Sequence, residues 1–433
     1  MKIYGVSDRQ VLQQKNGKAK PVLSGECEND ELNIHTIAIQ ITDEESGEII
    51  MPWTETGSIC GRWRIQLNTL YCGRNYKIDI DGISGEGETI VRRRLKESIS
   101  HVTVGDVYLI AGQSNAAGWA RGRYDEPLDL NVRELNGFGK WDVAAQPLGG
   151  GGFSPFITFA KKLSKKLGYP IGLIPRAVGA SSVTSWISTG ENFVRIKNEK
   201  IGKIKGVLWY QGCNEALEND TKNYGEYFMD FALNARKIFK DKNLPIITFQ
   251  LNRFRNDRDP ALHDEGYDRI REIQRSMKYK LDNLYVIPTI DLETMSDAIH
   301  NGIQSNISVG MRAAELALDV IYHLQKSDKA PDIADIAAIG DNRLVLTFDN
   351  VKGSLYAFEV SAQNLPIAVI DESGENRITD YEIRKNTITV TTERKIGKRT
   401  SVKAQYGKNP NSVIIDHDTM LPVLCFCDVM VSL

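Results

Sequence analysis

Apolar and polar residues alternate along the first hundred positions of the chain. IHTIAIQIT (34–42), RWRIQL (62–67) and YKIDIDGI (76–83) switch between the two at almost every step, with Gly- and Asp-rich turns between them. A period of two belongs to a strand with one wet and one buried face. No helical period interrupts it, so residues 1–103 are expected to form a β domain.

The pattern changes near Val104. VYLIAG (107–112), IGLIP (171–175), GVLWY (206–210), PIITFQL (245–251) and LYVIPTI (284–290) are short, nearly unbroken apolar runs. Such runs suit strands buried on both faces of a parallel sheet. Helical patterns lie between them. Phe156, Phe159, Ala160 and Leu163 recur at helical spacing behind Ser154 as N-cap and Pro155 at the first helical position, with Gly168 as the stop. Tyr224, Phe228, Phe231 and Ala235 mark a second helix; Val309, Ala313, Leu316 and Ala317 mark a last one. Strands alternating with helices predict a parallel sheet covered by helices, here over residues 104–325. The polar, proline-containing QKSDKAPD (325–332) reads as a boundary. RLVLTF, IAVI and TITVTT then restore β texture in a C-terminal domain, 326–433.

Composition narrows the function classes. The 433 residues are 41% hydrophobic and 25% charged, with a formal net charge of −2. Nothing in that balance favours nucleic acid or an anionic membrane surface as a partner. No run approaches the roughly twenty apolar residues of a membrane span. MKIYGVSDRQ lacks the apolar core of a secretory signal, which predicts a cytoplasmic protein or a mature secreted form. The six cysteines show no zinc-type pairing, and reduced thiols fit a cytoplasmic setting.

The chemistry gathers in four turns. GQSN carries Ser114, flanked by Gln113 and Asn115. AVGASSVTSW carries Gly179 and Trp186. WYQGCNEA carries Gln211 and Asn214. DLETMSDAIHN carries Asp297 and His300. If the preceding strands are parallel, all four turns share the sheet edge at which α/β folds bind ligands. A serine at that place is either a helix N-cap or a nucleophile. A nucleophilic serine needs a base, and imidazole serves best when a carboxylate holds it; Asp297 and His300, three apart, supply both. The backbone N–H groups of Ser114 and Gly179 and the side-chain amide of Asn214 are the natural oxyanion donors.

These blocks, in this order, resemble those of the SGNH hydrolase superfamily. GDVYLIAGQSN, VGASSVTSW, WYQG and IHN…VGMRAAELAL are similar to its sialate O-acetylesterase-like branch of carbohydrate acetylesterases. VLQQKNGKAKPVLSG and DTMLPVLCF extend the resemblance toward both ends. The resemblance implies a flavodoxin-like, three-layer α/β catalytic domain flanked by N- and C-terminal β domains. It implies Ser114 as nucleophile, His300 as base and Asp297 as its partner, with no cofactor and no metal. The implied substrate is an O-acetylated sugar or oligosaccharide: sialic acid first, acetylated xylan or another polysaccharide as the alternative. Gln113, Asn115, Gln211 and Trp186 are the expected substrate contacts. A carbohydrate-binding protein without activity is the rival from another class, and the oligomeric state is left open. The chain departs from the family pattern at Cys213, where relatives usually carry Glu, at Ala180 in place of a second glycine, and at Asn301 in place of proline.

PLGGGGFSP (147–155) lacks the Lys-Ser/Thr ending of a phosphate loop and fits a loop at the site's rim. The G-x-S-x-G elbow of the α/β-hydrolases is absent. Trp186, Trp209 and Tyr210 suit either a sugar platform or the core.

Overall fold

The computed structural model describes residues 1–27, 34–85, 90–95, 98–122, 124, 126–149, 151–199, 201–255, 263–358 and 360–432. Gly150, within the glycine run, lies outside them. The centre of the molecule is a sheet built on β1 (Ile99–Gly112), β2 (Val132–Leu135), β3 (Trp141–Val143), β4 (Ile171–Pro175), β5 (Gly206–Tyr210), β6 (Ile246–Phe249) and β7 (Leu284–Ile287), in the order β3-β2-β4-β1-β5-β6-β7. All of these pairings are parallel except the antiparallel edge strand β3. Tyr108 of β1 pairs with Leu173 on one side and Gly206 on the other. The chain therefore works outward from β1 to one edge, returns, and fills the other edge. The strand order reverses at β1, the topological switch point where such sheets open a crevice.

The helices follow from sequence. Ser154 caps α2 (Pro155–Leu167) through Phe156 N–H, and Gly168 ends it in the left-handed conformation, as its pattern predicted. α5 (Tyr224–Ile238) and α7 (Ile303–Val320) also form where their apolar periods predict. α2 and α7 pack closely: a Cβ on Gly310 would sit 2.2 Å from the Pro155 carbonyl oxygen. A second group joins α5 with α4 (Cys213–Glu218) and α6 (Asp264–Ser276). The buried face of α6 carries Asp268, Arg271 and Gln274 beside Tyr267 and Ile270.

The flanking regions have their own hydrophobic clusters. The change of pattern at Val104 falls inside one continuous strand. The first part of β1 pairs with Asn75–Ser84 and Val11–Gln13, and the rest enters the central sheet. At this seam the buried Asp106 accepts hydrogen bonds from Gln13 (2.6 Å), Tyr169 (2.9 Å) and Tyr322 (3.0 Å).

At the other end, two four-stranded antiparallel sheets enclose the C-terminal core. They dock on α6 through Arg271. Its fully buried guanidinium donates to the carbonyls of Leu251 (2.9 Å), Asn252 (2.9 Å), Gly407 (2.6 Å) and Lys408 (3.2 Å).

Candidate active site

The segment GQSN converges with the other three turns, and Gly112, Gln113 and Asn115 each make a different connection. Gly112, at φ +122, lies so close to β5 that a Cβ would meet the Tyr210 carbonyl oxygen at 2.2 Å, so only glycine fits. Its own carbonyl accepts from Val178 N–H (2.9 Å) and Ser181 Oγ (3.4 Å), which holds the Gly179 turn.

Gln113 reaches the third turn. Its Oε1 accepts from the backbone N–H groups of Gly212 and Cys213 (2.9 Å each) and Asn214 (3.5 Å). These are orphan donors at the start of α4, capped by a side chain from the turn that follows β1. Asn115 reaches the fourth turn. Its Oδ1 accepts from Asn301 N–H (3.1 Å), and its Nδ2 donates to the Ile299 carbonyl (3.3 Å). Ser114 is the exception. Among the described residues its Oγ has no hydrogen-bond partner, and it opens the one-turn helix α1 (Ser114–Ala117), where N–H groups lack partners within the helix.

His300 and Asp297 form a pair. His300 Nδ1 lies 2.8 Å from Asp297 Oδ2, while Asp297 Oδ1 accepts from the backbone N–H of His300 (3.2 Å) and Ile299 (3.4 Å). Burial pushes the Asp297 carboxyl upward, but these hydrogen bonds from His300 and the backbone outweigh it and hold it below its ordinary value. With Nδ1 engaged, Nε2 is the nitrogen left for chemistry. The loop is tight: Ala298 stands at φ +70, and Met295 N–H donates to the His300 carbonyl (2.8 Å). Arg255 braces it from outside, donating to Thr294 Oγ1 and to the carbonyls of Thr294 and Met295 at 2.7 Å each.

Gly179 is exposed, and a Cβ there would meet nothing within 4 Å. The open space lies before the backbone; the left-handed conformation falls on Ala180 instead, at φ +56. That geometry costs a non-glycine residue about 1 kcal/mol. Asn214 sits half-buried in the first turn of α4, its Nδ2 3.4 Å from Glu218.

The expected substrate contacts require correction. Trp186 is fully buried, edge-on to Trp209 and to Phe231, at centroid distances of 5.6 and 6.1 Å. Its indole N–H donates to Ser181 Oγ (2.9 Å), so it packs the core beneath the turn and offers a sugar no face. Gln211 is likewise enclosed: its Nε2 donates to Glu215 (2.6 Å). Gln113 and Asn115 are buried, with their amides used in joining turns. The Cys213 thiol is buried too, and desolvation pushes it up to about 12, far from thiolate reactivity.

Sequence reasoning missed two groups. Glu215, buried, bridges the second and third turns by accepting from Val183 N–H (2.5 Å) and Gln211; an acid in the first turn of a helix was its only signal. Trp119 is half-exposed, with its ring centroid 5.9 Å from that of His300 and the Arg121 guanidinium 6.0 Å from it. It is the aromatic surface beside the site that Trp186 is not.

Comparison with known proteins places the chain in a family. Residues 104–319 match the sequence model of the family described as carbohydrate esterase, sialic acid-specific acetylesterase. A probable carbohydrate esterase of Arabidopsis thaliana is 26% identical over 267 residues, 54% of this chain and 98% of that protein. The crystal structure of a carbohydrate acetylesterase from Xanthomonas citri superposes with a TM-score of 0.72 over 97% of each chain, at 21% identity, a likeness of fold. The protein is thus a carboxylic ester hydrolase, and its substrates are acetylated carbohydrates. It belongs to the carbohydrate esterase family of sialic acid-specific acetylesterases. Among the described residues no helix is long and apolar enough to cross a membrane.

Proposed function

We propose that the protein is a serine esterase removing O-acetyl groups from sialic acid, with Ser114, His300 and Asp297 as its triad. His300 Nε2 takes the Ser114 proton as Oγ attacks the acetyl carbonyl. The oxyanion is met by the N–H groups of Ser114 and Gly179 and by the Asn214 amide, each worth on the order of 3 kcal/mol in the transition state. Collapse expels the sugar hydroxyl with the proton from His300. Water, activated by the same imidazole, then releases acetate from Ser114. Asp297 holds the ring tautomer and stabilises the imidazolium.

The observation that carries the reading is the division of labour in GQSN: Gly112, Gln113 and Asn115 each bond a different turn, and Ser114 is left free among them. The catalytic unit is residues 104–325, a three-layer SGNH domain, with β domains 1–103 and 326–433 at its sides. Free thiols at Cys60, Cys72, Cys213, Cys425 and Cys427 support action in the reducing cytoplasm.

The test is acetate release from O-acetylated sialic acid and from acetylated xylo-oligosaccharides, wild type against Ser114→Ala. Release from the sialic acid that falls by about 10⁴-fold or more in the variant supports the proposal. Preference for the xylo-oligosaccharide moves the substrate to plant polysaccharide. Activity surviving in Ser114→Ala would remove the serine mechanism.

A further inference from the structure

We infer that Asn115 and Asn301 are positioning residues that lock His300 to Ser114 through a chain of buried amides, an assignment that rests on the serine–histidine reading above. Asn115 directly follows the serine. Its side chain holds the backbone on both sides of the histidine, the Ile299 carbonyl and the Asn301 N–H. The direction of this amide is dictated: the Asn301 N–H only donates, so Oδ1 must face it, leaving Nδ2 for the carbonyl.

Asn301 carries the connection inward. Its Oδ1 accepts from Asn252 Nδ2 (2.9 Å) at the end of β6, and its Nδ2 donates to Asn306 Oδ1 (3.1 Å) in the first turn of α7. Asn306 in turn donates to the Phe153 carbonyl (2.8 Å), ahead of α2. All four asparagines are at most 4% exposed. Apolar packing would hold the loop by volume alone, whereas paired amides also fix its register. The serine sits on a one-turn helix and the histidine on a tight loop, and neither element has length enough to hold a reacting geometry alone. The amide chain ties both to the framework of β6, α7 and α2.

Misplacing reacting groups by about 1 Å costs on the order of 10²-fold in rate, and that is the expected scale for Asn115→Ala. The experiment follows Ser114 labelling by a 4-nitrophenyl organophosphonate, with mass spectrometry reading both rate and final stoichiometry, alongside kcat and KM for 4-nitrophenyl acetate. In Asn115→Ala and Asn301→Ala, labelling should reach one phosphonyl group per chain but about 30- to 100-fold more slowly, with kcat falling in step and KM within about threefold. Asn252→Ala, which removes the outer bond to Asn301 and a local one from Arg253 N–H (2.7 Å), should slow it by about fivefold and serves if the inner variants do not fold. Wild-type rates in all three overturn the inference. So does a reduced stoichiometry in which the surviving fraction reacts at the wild-type rate, because that is loss of folded protein and not of geometry. Failure of Ser114 labelling in the wild type would instead strike the serine mechanism itself, and this inference with it.

Discussion

The crevice at Ser114 and the cleft beside β7 make opposite uses of polar groups. The cleft, of about 570 Å³, lies between β7, α7 and the start of the C-terminal β region, lined by residues such as Tyr285, Met311, Arg312, Lys278 and Leu424. It is roomy and partly apolar, and several of its charges are paired: Arg312 with Asp291 (2.5 Å), Lys278 with Asp332, and Glu315 with Lys162 (2.7 Å). The crevice is built of tight turns and small residues; among the described residues its serine hydroxyl has no partner, and Asn115, next in the chain, bonds the loop that carries the histidine–carboxylate pair. Volume marks the first region and an unpartnered hydroxyl the second. The neighbours of Ser114 bond elsewhere and leave its side chain free among the described residues.

That contrast can be broken most forcefully at Asp297. Asp297→Asn leaves the shape intact but favours the wrong imidazole tautomer, so kcat should fall by on the order of 10³- to 10⁴-fold. Steady-state kinetics on 4-nitrophenyl acetate check it, and a loss under tenfold would detach the carboxylate from the mechanism. Next comes Trp186→Ala. The buried indole predicts a stability loss of about 3–5 kcal/mol in denaturant unfolding, with KM little changed in the protein that folds. A raised KM at unchanged stability would return Trp186 to the sugar site.

The acid stability of the Asp297 pair is a smaller effect. A carboxyl held below its ordinary value adds stability that is present above that value and is lost as pH falls through the folded one. The Asp297 side chain is 36% exposed, so screening keeps the contribution under about 1 kcal/mol. The melting temperature of wild type over Asp297→Asn should therefore show a gap at pH 7 that narrows toward pH 3; a widening gap would reverse the assigned direction. Smallest of all is Lys329→Ala in the cleft, where kcat/KM should stay within about twofold. A tenfold loss there would make the cleft part of the reaction.

Much of this architecture was legible in the sequence. Local rules decide α2, where the Ser154 cap, Pro155, an apolar stripe and the Gly168 stop all agree. The sheet edge was legible because apolar runs ending in glycine or polar turns recur at strand spacing. Pattern alone did not reveal α6, since its buried face answers to carbonyls of other segments through Arg271 and to Gly407 N–H through Asp268. The same reason hid Glu215 and misplaced Trp186. An aromatic residue just past a turn reads equally as platform or core, and only the positions of Trp209 and Phe231, distant in sequence, decide for core.

The strand that leads to Ser114 joins two regions of the molecule. β1 belongs to two cores, with Ile99, Val102 and Val104 in the N-terminal cluster and residues 107–111 in the central one. Beyond Asp106 it is hydrogen-bonded on both sides, so its amides should exchange with deuterated solvent only when the whole sheet opens. The N-terminal region is tied to the central sheet, since Gln13 Oε1 accepts from Val107 N–H (2.8 Å) and its amide holds Asp106. The two regions should melt in a single cooperative step. What looks in sequence like an appended β module is the footing on which the serine stands.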